Sequence, residues 1–266
     1  MTTELAREAL RHAAPQRPTA VTIGVFDGVH RGHQHLIGQM LDHARREGLA
    51  SVVVTFYPHP RLVLQPQATV TYLCALEERV ELLRGLGIDT VAVIPFTPRF
   101  SLTSARDFAA MLVQELGMRL LVVGPDFALG RGRQGTTSAL SQLGRRMGFA
   151  VQVAPLLTNE GSKVGSSAVR TALAQGDVAT VAKLLGRPFS LRGTVVRGAE
   201  RGHSIGFPTA NLAVGADQAL PAFGVYVTRA YVGAHGHAPL RAVTNIGIRP
   251  TFGEKYPTVE THIMDY

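Results

Sequence analysis

The sequence predicts an α/β protein with two parts: a parallel α/β domain over residues 1–186 and a small antiparallel β-barrel or sandwich over residues 187–266. Between about residues 20 and 186, short apolar runs alternate with longer helical patterns, which indicates βαβ units around a parallel sheet. From residue 189 onward, apolar residues alternate with polar ones between glycine turns, which favours antiparallel strands. Gly186, Arg187 and Pro188 separate the two patterns.

In the first domain a helical pattern follows each predicted strand. The strands are predicted at 20–26, 51–56, 90–95, 120–124 and 150–155, and the helices at 33–47, 76–86, 104–116, 137–147, 167–175 and 178–185. Gly48 and Gly148 are suited to end helices, and Asp177 is suited to cap the last one. Strands of the second domain are predicted at 191–198, 224–232, 241–247 and 258–264.

Composition and charge exclude several classes of protein. Hydrophobic residues make up 45% and charged residues 17% of the 266 positions, as expected for a chain that buries a core. No apolar run is long enough to cross a membrane, the N-terminus lacks a signal-peptide pattern, and Cys74 is the one cysteine, so we expect a cytoplasmic protein. The net charge of +8 suits an anionic small molecule; without a basic run we expect no nucleic-acid partner. The sequence does not indicate an oligomeric state.

The last predicted strand pattern runs into the C-terminus without a turn, cap or polar tail. A barrel that stops there would keep an open edge and an uncovered apolar face. We therefore expect the second domain to be incomplete, and the chain to be truncated relative to its intended fold.

The sharpest local signal is GVFDGVHRGHQHLI at residues 24–37, between the first predicted strand and the first long helix. A glycine-rich strand-to-helix turn lets backbone N–H groups approach phosphate. His30 and His33, three residues apart, can both face one anion and donate hydrogen bonds to a triphosphate. A structural turn with exposed histidines is one alternative. A metal site that includes His35 is another, although no carboxylate or cysteine completes a ligand set.

His-x-Gly-His after strand one is the signature of nucleotidylyltransferases, and GVFDGVHRGHQ resembles the bacterial bifunctional riboflavin kinase/FMN adenylyltransferase (FAD synthetase) family. Similar strings follow in order: YPHP at 57–60, VVGPDFALGRGRQG at 122–135 and VGSSAVRTALAQGDV at 164–178. The resemblance implies a Rossmann-like nucleotidylyltransferase domain with His30 and His33 as catalytic residues. It implies ATP and FMN contacts at Gly24, Phe26, Asp27, Gly28, Gly32, His59, Asp126, Arg131, Ser166, Ser167 and Arg170.

Each of these segments has a simpler interpretation. GRGRQG, at 130–135, is either a mobile basic loop that turns Arg131 and Arg133 toward phosphates or a solvated turn. His59, between two prolines, is either a ligand contact or a rigid loop feature. The serine segment is either an ATP-binding helix start or a plain N-cap with an exposed arginine.

The second constellation is GTVVRGAERGHSIGFPTANL at residues 193–212. The Thr209 hydroxyl and the Asn211 amide are neutral oxygen donors two apart on extended chain, which suits Mg²⁺ held mainly by ATP phosphates; a turn that closes a hairpin is the alternative. The string, together with VTNIGIRPTF at 243–252 and VETHIM at 259–264, resembles the flavokinase signature. That resemblance implies ATP contacts at Gly206 and Pro208, and Glu260 as the base for the riboflavin 5′-hydroxyl.

We therefore expect a bifunctional transferase of FAD biosynthesis. It uses ATP, FMN and riboflavin as substrates with Mg²⁺ as cofactor, and truncation impairs the kinase domain. The alternatives are an FMN adenylyltransferase without kinase activity, a different nucleotidylyltransferase, and a non-enzymatic flavin or nucleic-acid binding module.

Overall fold

The computed structural model of the 266-residue chain describes residues 2–159, 162–197, 207–233, 238–248 and 257–265. Packing divides the chain into two units. One comprises Met1–Val70 with Leu76–Ser166, and the other comprises Thr71–Ala75 with Ser167–Tyr266. The predicted division at residue 186 stays a prediction.

The first unit is an α/β unit whose main elements follow the predicted order. Its strands are β1 Thr19–Ile23, β2 Ala50–Tyr57, β3 Thr90–Pro95, β4 Met118–Val123, β5 Ala128–Leu129, β6 Gly135–Thr136, β7 Ala150–Val153, β8 Thr158–Asn159 and β9 Ser162–Lys163. Its helices are α1 Thr2–His12, α2 Arg31–Glu47, α3 Pro60–Leu64, α4 Leu76–Arg84, α5 Ala105–Leu116 and α6 Thr137–Met147. Helices α1 and α3 and the short pairs β5–β6 and β8–β9 are additions to the predicted set.

Five of these strands form one parallel sheet in the order β3-β2-β1-β4-β7. The chain builds outward from β1 to β3 on one side and then crosses to β4 on the other. The order therefore reverses between β1 and β4. In open α/β sheets the crevice at the carboxyl ends of the two strands at such a reversal is where ligands bind. The turn after β1, which carries both histidines, lies at this edge.

Helices cover both faces of the sheet. Successive residues of a strand point to opposite faces, so each strand contributes to two cores. Val21, Val52 and Leu121 pack in a core with residues of α1, α5 and α6. Ala20, Val53 and Leu120 pack in a second core with residues of α2 and α4. This arrangement explains why the strands appear in the sequence as continuous apolar runs.

The second unit combines two helices with an antiparallel sheet. Its elements are α7 Ser166–Ala174, whose first residue still belongs to the first unit, α8 Val178–Leu185, β10 Thr194–Val196, β11 Ala210–Ala213, β12 Gly224–Ala230, β13 Leu240–Gly247 and β14 Thr258–Ile263. Val169, Leu173 and Val181 from the two helices form a small core with Leu73 and Ala219. Asp177 caps α8 as predicted, since its side chain accepts from the Thr180 N–H at 2.9 Å. No helix in the described ranges is long and apolar enough to span a membrane.

The antiparallel sheet has the order β10-β11-β14-β13-β12. Within the portion that the structure describes it is not closed into a barrel, and β10 and β12 form its edges. Val225 and Val227 on β12 are exposed, with Val227 at 95%. The last strand, β14, lies between β11 and β13 rather than at an edge. The expectation that this domain is incomplete stays a prediction.

Candidate active sites

The two histidines of the first motif are placed by the start of α2. His30 is the residue that caps this helix, and its Nδ1 accepts a hydrogen bond from the backbone N–H of His33 at 3.3 Å. An imidazole nitrogen that accepts carries the lone pair, so in the neutral ring the proton sits on Nε2. The cap therefore fixes the orientation of the His30 ring.

The imidazole rings of His30 and His33 are stacked. Their centroids are 3.5 Å apart and the rings are 19° from parallel. Phe26 meets His33 edge-on, with centroids 5.1 Å apart and planes at 70°. Phe26 is buried and has φ of 54°, a left-handed conformation that non-glycine residues rarely adopt. It therefore lies where it supports His33; its predicted ligand contact stays a prediction.

Two glycines of the turn meet steric needs. Gly28 has φ of 74°, which only glycine adopts freely. A Cβ on Gly32 would lie 2.7 Å from the carbonyl oxygen of Val164. Residue 32 therefore has to lack a side chain for the segment around Val164 to pack on the turn.

The serine segment closes over the same turn. The Ser166 hydroxyl donates to the carbonyl oxygen of Asp27 at 3.1 Å. This bond joins the start of the serine segment to the turn between β1 and α2, whereas the predicted ATP contact of Ser166 stays a prediction. Ser167, which follows it, is exposed, and the Arg170 Nε donates to the Thr71 carbonyl oxygen at 2.7 Å within the second unit.

His33 is held in its neutral form. Its pKa is well below the ordinary value, first because the ring is removed from solvent and then because His30 and Arg79 oppose a further positive charge. The Nδ1 of His33 is buried and has no hydrogen-bond partner within the described ranges.

Arg79 is a site residue that sequence reasoning missed. It lies on α4, is fully buried, and its Nη1 donates to the carbonyl oxygens of Val25 at 3.2 Å and Phe56 at 3.3 Å. The arginine thus joins the chain just after β1 to the end of β2. The signal was its spacing, because Arg79 follows Leu76 by three residues and precedes Leu83 by four, on the apolar side of the helix.

The GRGRQG string forms part of a small hairpin. Strands β5 and β6 pair, the Arg131 N–H donates to the Thr103 carbonyl oxygen at 2.8 Å, and a Cβ on Gly130 would lie 2.5 Å from the Ala105 nitrogen. The glycines therefore allow close packing on the start of α5. The side chains of Arg131 and Arg133 are exposed, and an Arg133 Nη donates to the backbone carbonyl oxygen of Asp126 at 3.0 Å.

His59 caps the short helix α3, where its Nδ1 accepts from the Arg61 N–H at 3.0 Å. This contact corresponds to the structural alternative considered for His59. The predicted nucleotide or flavin contact of His59 stays a prediction. The structure places His59 after β2, and Asp126 after β4, at the carboxyl ends of sheet strands.

Three polar residues of the second unit are aligned on the adjacent strands β11, β14 and β13. Glu260 on β14 lies directly opposite Asn211 on β11 and Asn245 on β13. Opposed residues of antiparallel strands project to the same face, so the three side chains share one side of the sheet. The Thr258 hydroxyl donates to Glu260 Oε1 at 3.2 Å. Asn245 was not predicted, because strand register is invisible in a single sequence.

The two predicted cation ligands lie at the start of β11, Thr209 just before this strand and Asn211 on it, opposite Glu260. Thr209 and Asn211 supply a hydroxyl and an amide, the hard neutral ligands that fit Mg²⁺ shared with phosphates and waters. No group of three or more His, Cys, Asp or Glu side chains is placed to hold a metal ion in the part of the chain that the structure describes. Gly206, predicted to bind ATP, lies outside the described residues, whereas Pro208 lies just before β11.

The fold and the histidine pair define a nucleotidyl-transferring α/β protein that continues into a small antiparallel β unit. The family model for FAD synthetase matches residues 12–168, and that for riboflavin kinase matches residues 185–266. The chain belongs to the bifunctional riboflavin kinase/FMN adenylyltransferase family of FAD-synthesising transferases.

Relatives named bifunctional riboflavin kinase/FMN adenylyltransferase align along most of the chain. The protein from Escherichia coli strain K12 is 38% identical over 253 residues, which cover 95% of this chain and 80% of the relative. The Bacillus subtilis protein is 35% identical over 259 residues, covering 94% and 79%. A crystal structure described as a macrolide-efflux protein from Streptococcus pneumoniae superposes with a TM-score of 0.86 at 30% identity, covering 97% of this chain and 83% of that one.

Proposed function

We propose that the first unit transfers AMP from ATP to FMN at the turn carrying His30 and His33. A phosphate oxygen of FMN attacks the α-phosphorus of ATP, the bond to the bridging oxygen of the β-phosphate breaks, and FAD and pyrophosphate leave. Such a reaction needs alignment and charge stabilisation more than covalent help from the protein.

The histidines act as preorganised hydrogen-bond donors in this proposal. The stacked rings and the N-cap bond of His30 support it, because they fix both imidazoles before a ligand arrives. Because its pKa is lowered, His33 is neutral, and its ring then has one N–H group with which to donate a hydrogen bond. Donors fixed in this way stabilise charge that grows in the transition state.

The remaining predicted contacts are assigned to the same proposed reaction. Gly24, Gly28 and Gly32 give the turn backbone access to phosphate, with Phe26 and Asp27 shaping it. We assign nucleotide or flavin contacts to His59, Asp126, Arg131, Ser166, Ser167 and Arg170. The bond from Ser166 to the Asp27 carbonyl supports the assignment of the serine segment, because it joins that segment to the turn.

We propose that the second unit phosphorylates riboflavin. Glu260 takes the proton of the 5′-hydroxyl, whose oxygen attacks the γ-phosphorus of ATP, and ADP leaves with the FMN product. Thr209 and Asn211 would hold Mg²⁺, which neutralises phosphate charge when bound. Gly206 and Pro208 would contact ATP. The register that sets Glu260 opposite Asn211 supports this proposal.

The single observation that carries the proposed adenylyl transfer is the stacked histidine pair at the point where the sheet order reverses. The test is incubation of the purified chain with ATP, Mg²⁺ and either riboflavin or FMN, followed by chromatography of the flavins. We expect FMN and then FAD from riboflavin, and FAD from FMN. A chain that is only an adenylyltransferase would convert FMN alone, and absence of FAD in both reactions would overturn the proposal.

The partners in this proposal are small molecules: ATP, FMN and riboflavin. Cytoplasmic residence is part of the proposal, since these substrates are metabolites and Cys74 cannot form an intrachain disulfide. Fractionation of cells that express the chain would test it.

A further inference from the structure

His262 is a histidine of the second unit to which the proposed reaction assigns no role. It lies on β14 two residues after Glu260, so the two side chains project from the same face of the strand. We propose that His262 is a positioning residue of the kinase site, holding the chain that leads into Thr209 and Asn211 against the strand that carries Glu260. This inference rests on the proposed riboflavin kinase function.

Two contacts tie His262 to the start of that segment. Its Nδ1 lies 2.8 Å from the carbonyl oxygen of Pro208, and because a carbonyl can only accept, the ring nitrogen donates. The Phe207 ring meets the imidazole edge-on, with centroids 5.6 Å apart and planes at 71°. One side chain therefore holds both the backbone and the ring that precede the Thr209–Asn211 pair.

Strand register shows why this position matters. Ala210 pairs with Thr261, and Asn211 pairs with Glu260. Continuing the ladder by one residue would set Thr209 opposite His262. The regular pairing of β11 with β14 ends at Ala210. The hydrogen bond from His262 to Pro208 therefore holds the chain to β14 at the point where backbone pairing stops.

The chemistry favours positioning rather than proton transfer. The Pro208 carbonyl occupies Nδ1, so this nitrogen is a donor to the protein rather than a base for substrate. Proline has no backbone N–H and cannot donate to the neighbouring strand, so its carbonyl is the backbone group through which this residue can be held. The Pro208 carbonyl also sets the plane of the peptide that enters Thr209.

Matched variants separate the donor from the ring. His262→Phe keeps an aromatic ring against Phe207 but removes the donor, and His262→Asn replaces the ring with an amide that can donate from a nearby position. His12→Phe, at an exposed position on α1, is the control. We expect His262→Phe to lower kcat/KM for ATP in riboflavin phosphorylation about 10- to 100-fold, as for residues that orient ligands. His262→Asn and His12→Phe should lose less.

FAD formation from FMN, in the same samples, reports whether the first unit is folded, and the circular-dichroism melting curve of each variant reports whether the second unit is folded as well. A second readout is hydrogen exchange of peptides covering residues 207–213, which we expect to speed up in His262→Phe and to stay slow in His262→Asn. Unchanged kinase kinetics in His262→Phe, or equal losses in the Phe and Asn variants, would overturn the role. A wild-type chain that makes no FMN would refute the kinase proposal instead. In that case hydrogen exchange of residues 207–213 still tests the positioning role, and an unchanged rate in His262→Phe would overturn it.

Discussion

His30 holds His33 in place through one hydrogen bond, in which the backbone N–H of His33 donates to the ring of His30 at 3.3 Å. The same geometry stacks the two imidazoles with centroids 3.5 Å apart. The bond caps α2, so the start of this helix and the stacked histidine pair depend on the same contact. Substitutions at this turn should therefore lower both the stability of the protein and the rate of adenylyl transfer. Which of the two falls more depends on the group that is removed.

The lowered pKa of His33 makes stability depend on pH. The unfolded chain binds a proton at His33 below about pH 6.5, whereas the folded chain does not until a much lower pH. The unfolded state therefore binds more protons, and His33 reduces stability as the pH falls from about 6.5 toward the folded pKa, by up to roughly 1.4 kcal/mol per pH unit.

Urea unfolding at about pH 7.5 and about pH 5.5 measures this effect. His33→Gln should lose less stability than the wild type between the two conditions. Equal losses in the two proteins would show that His33 titrates normally in the folded state.

Gly32→Ala tests the packing of the serine segment on the turn. The new Cβ would lie 2.7 Å from the Val164 carbonyl oxygen, so the segment that carries Ser166 must move. We expect a loss of about 1–3 kcal/mol in the free energy of unfolding, together with slower FAD formation from FMN.

Gly38→Ala on the same helix is the control, because a Cβ there meets nothing within 4 Å. It should gain about 0.5–1 kcal/mol from helix propensity and keep normal activity. Similar results for the two alanines would refute the steric argument.

Arg79→Met removes a buried cation while keeping a long apolar side chain. The Val25 and Phe56 carbonyls lose a donor, which should cost about 1–3 kcal/mol of stability. The pKa of His33 should rise, because one of the charges that oppose its protonation is gone. Imidazole titration by NMR measures the pKa shift. Arg84→Met, exposed on the same helix, should change neither property.

Glu260→Gln should separate the two activities. Removing a general base lowers riboflavin phosphorylation by about 10²- to 10⁴-fold. FAD formation from supplied FMN should stay within about twofold, since Glu260 belongs to the second unit. Glu77→Gln, exposed on α4, serves as a charge-matched control. Normal FMN production by Glu260→Gln would exclude this residue as the base.

Much of the first unit could be predicted because parallel strands buried on both faces are continuous apolar runs. Strand β3, Thr90–Pro95, has its predicted bounds. Strand β1 was predicted to reach residue 26 but ends at Ile23. The apolar run continues into Phe26, which is buried in the turn at φ of 54° instead of extending the sheet, so hydrophobicity alone could not place the end.

The parts that could not be predicted depend on tertiary partners. Helix α1 is amphipathic, but a short helix at a terminus is stable only when it packs, and here Ala6 and Leu10 join the core on one face of the sheet. The buried Arg79 requires carbonyl groups from two distant segments. The alignment of Asn211, Glu260 and Asn245 needs the strand register, which pairs residues about 15 and 49 positions apart.

FAD formation by His33→Ala is the most direct test of the claim that the stacked histidines stabilise the transferring AMP group. Steady-state rates from FMN and ATP should fall about 10²- to 10³-fold, equivalent to about 2.7–4 kcal/mol of barrier, as when one fixed donor to a developing charge is lost. Riboflavin phosphorylation in the same preparation should continue at the wild-type rate. FAD formation at the wild-type rate in this variant would contradict the assignment of the histidine pair.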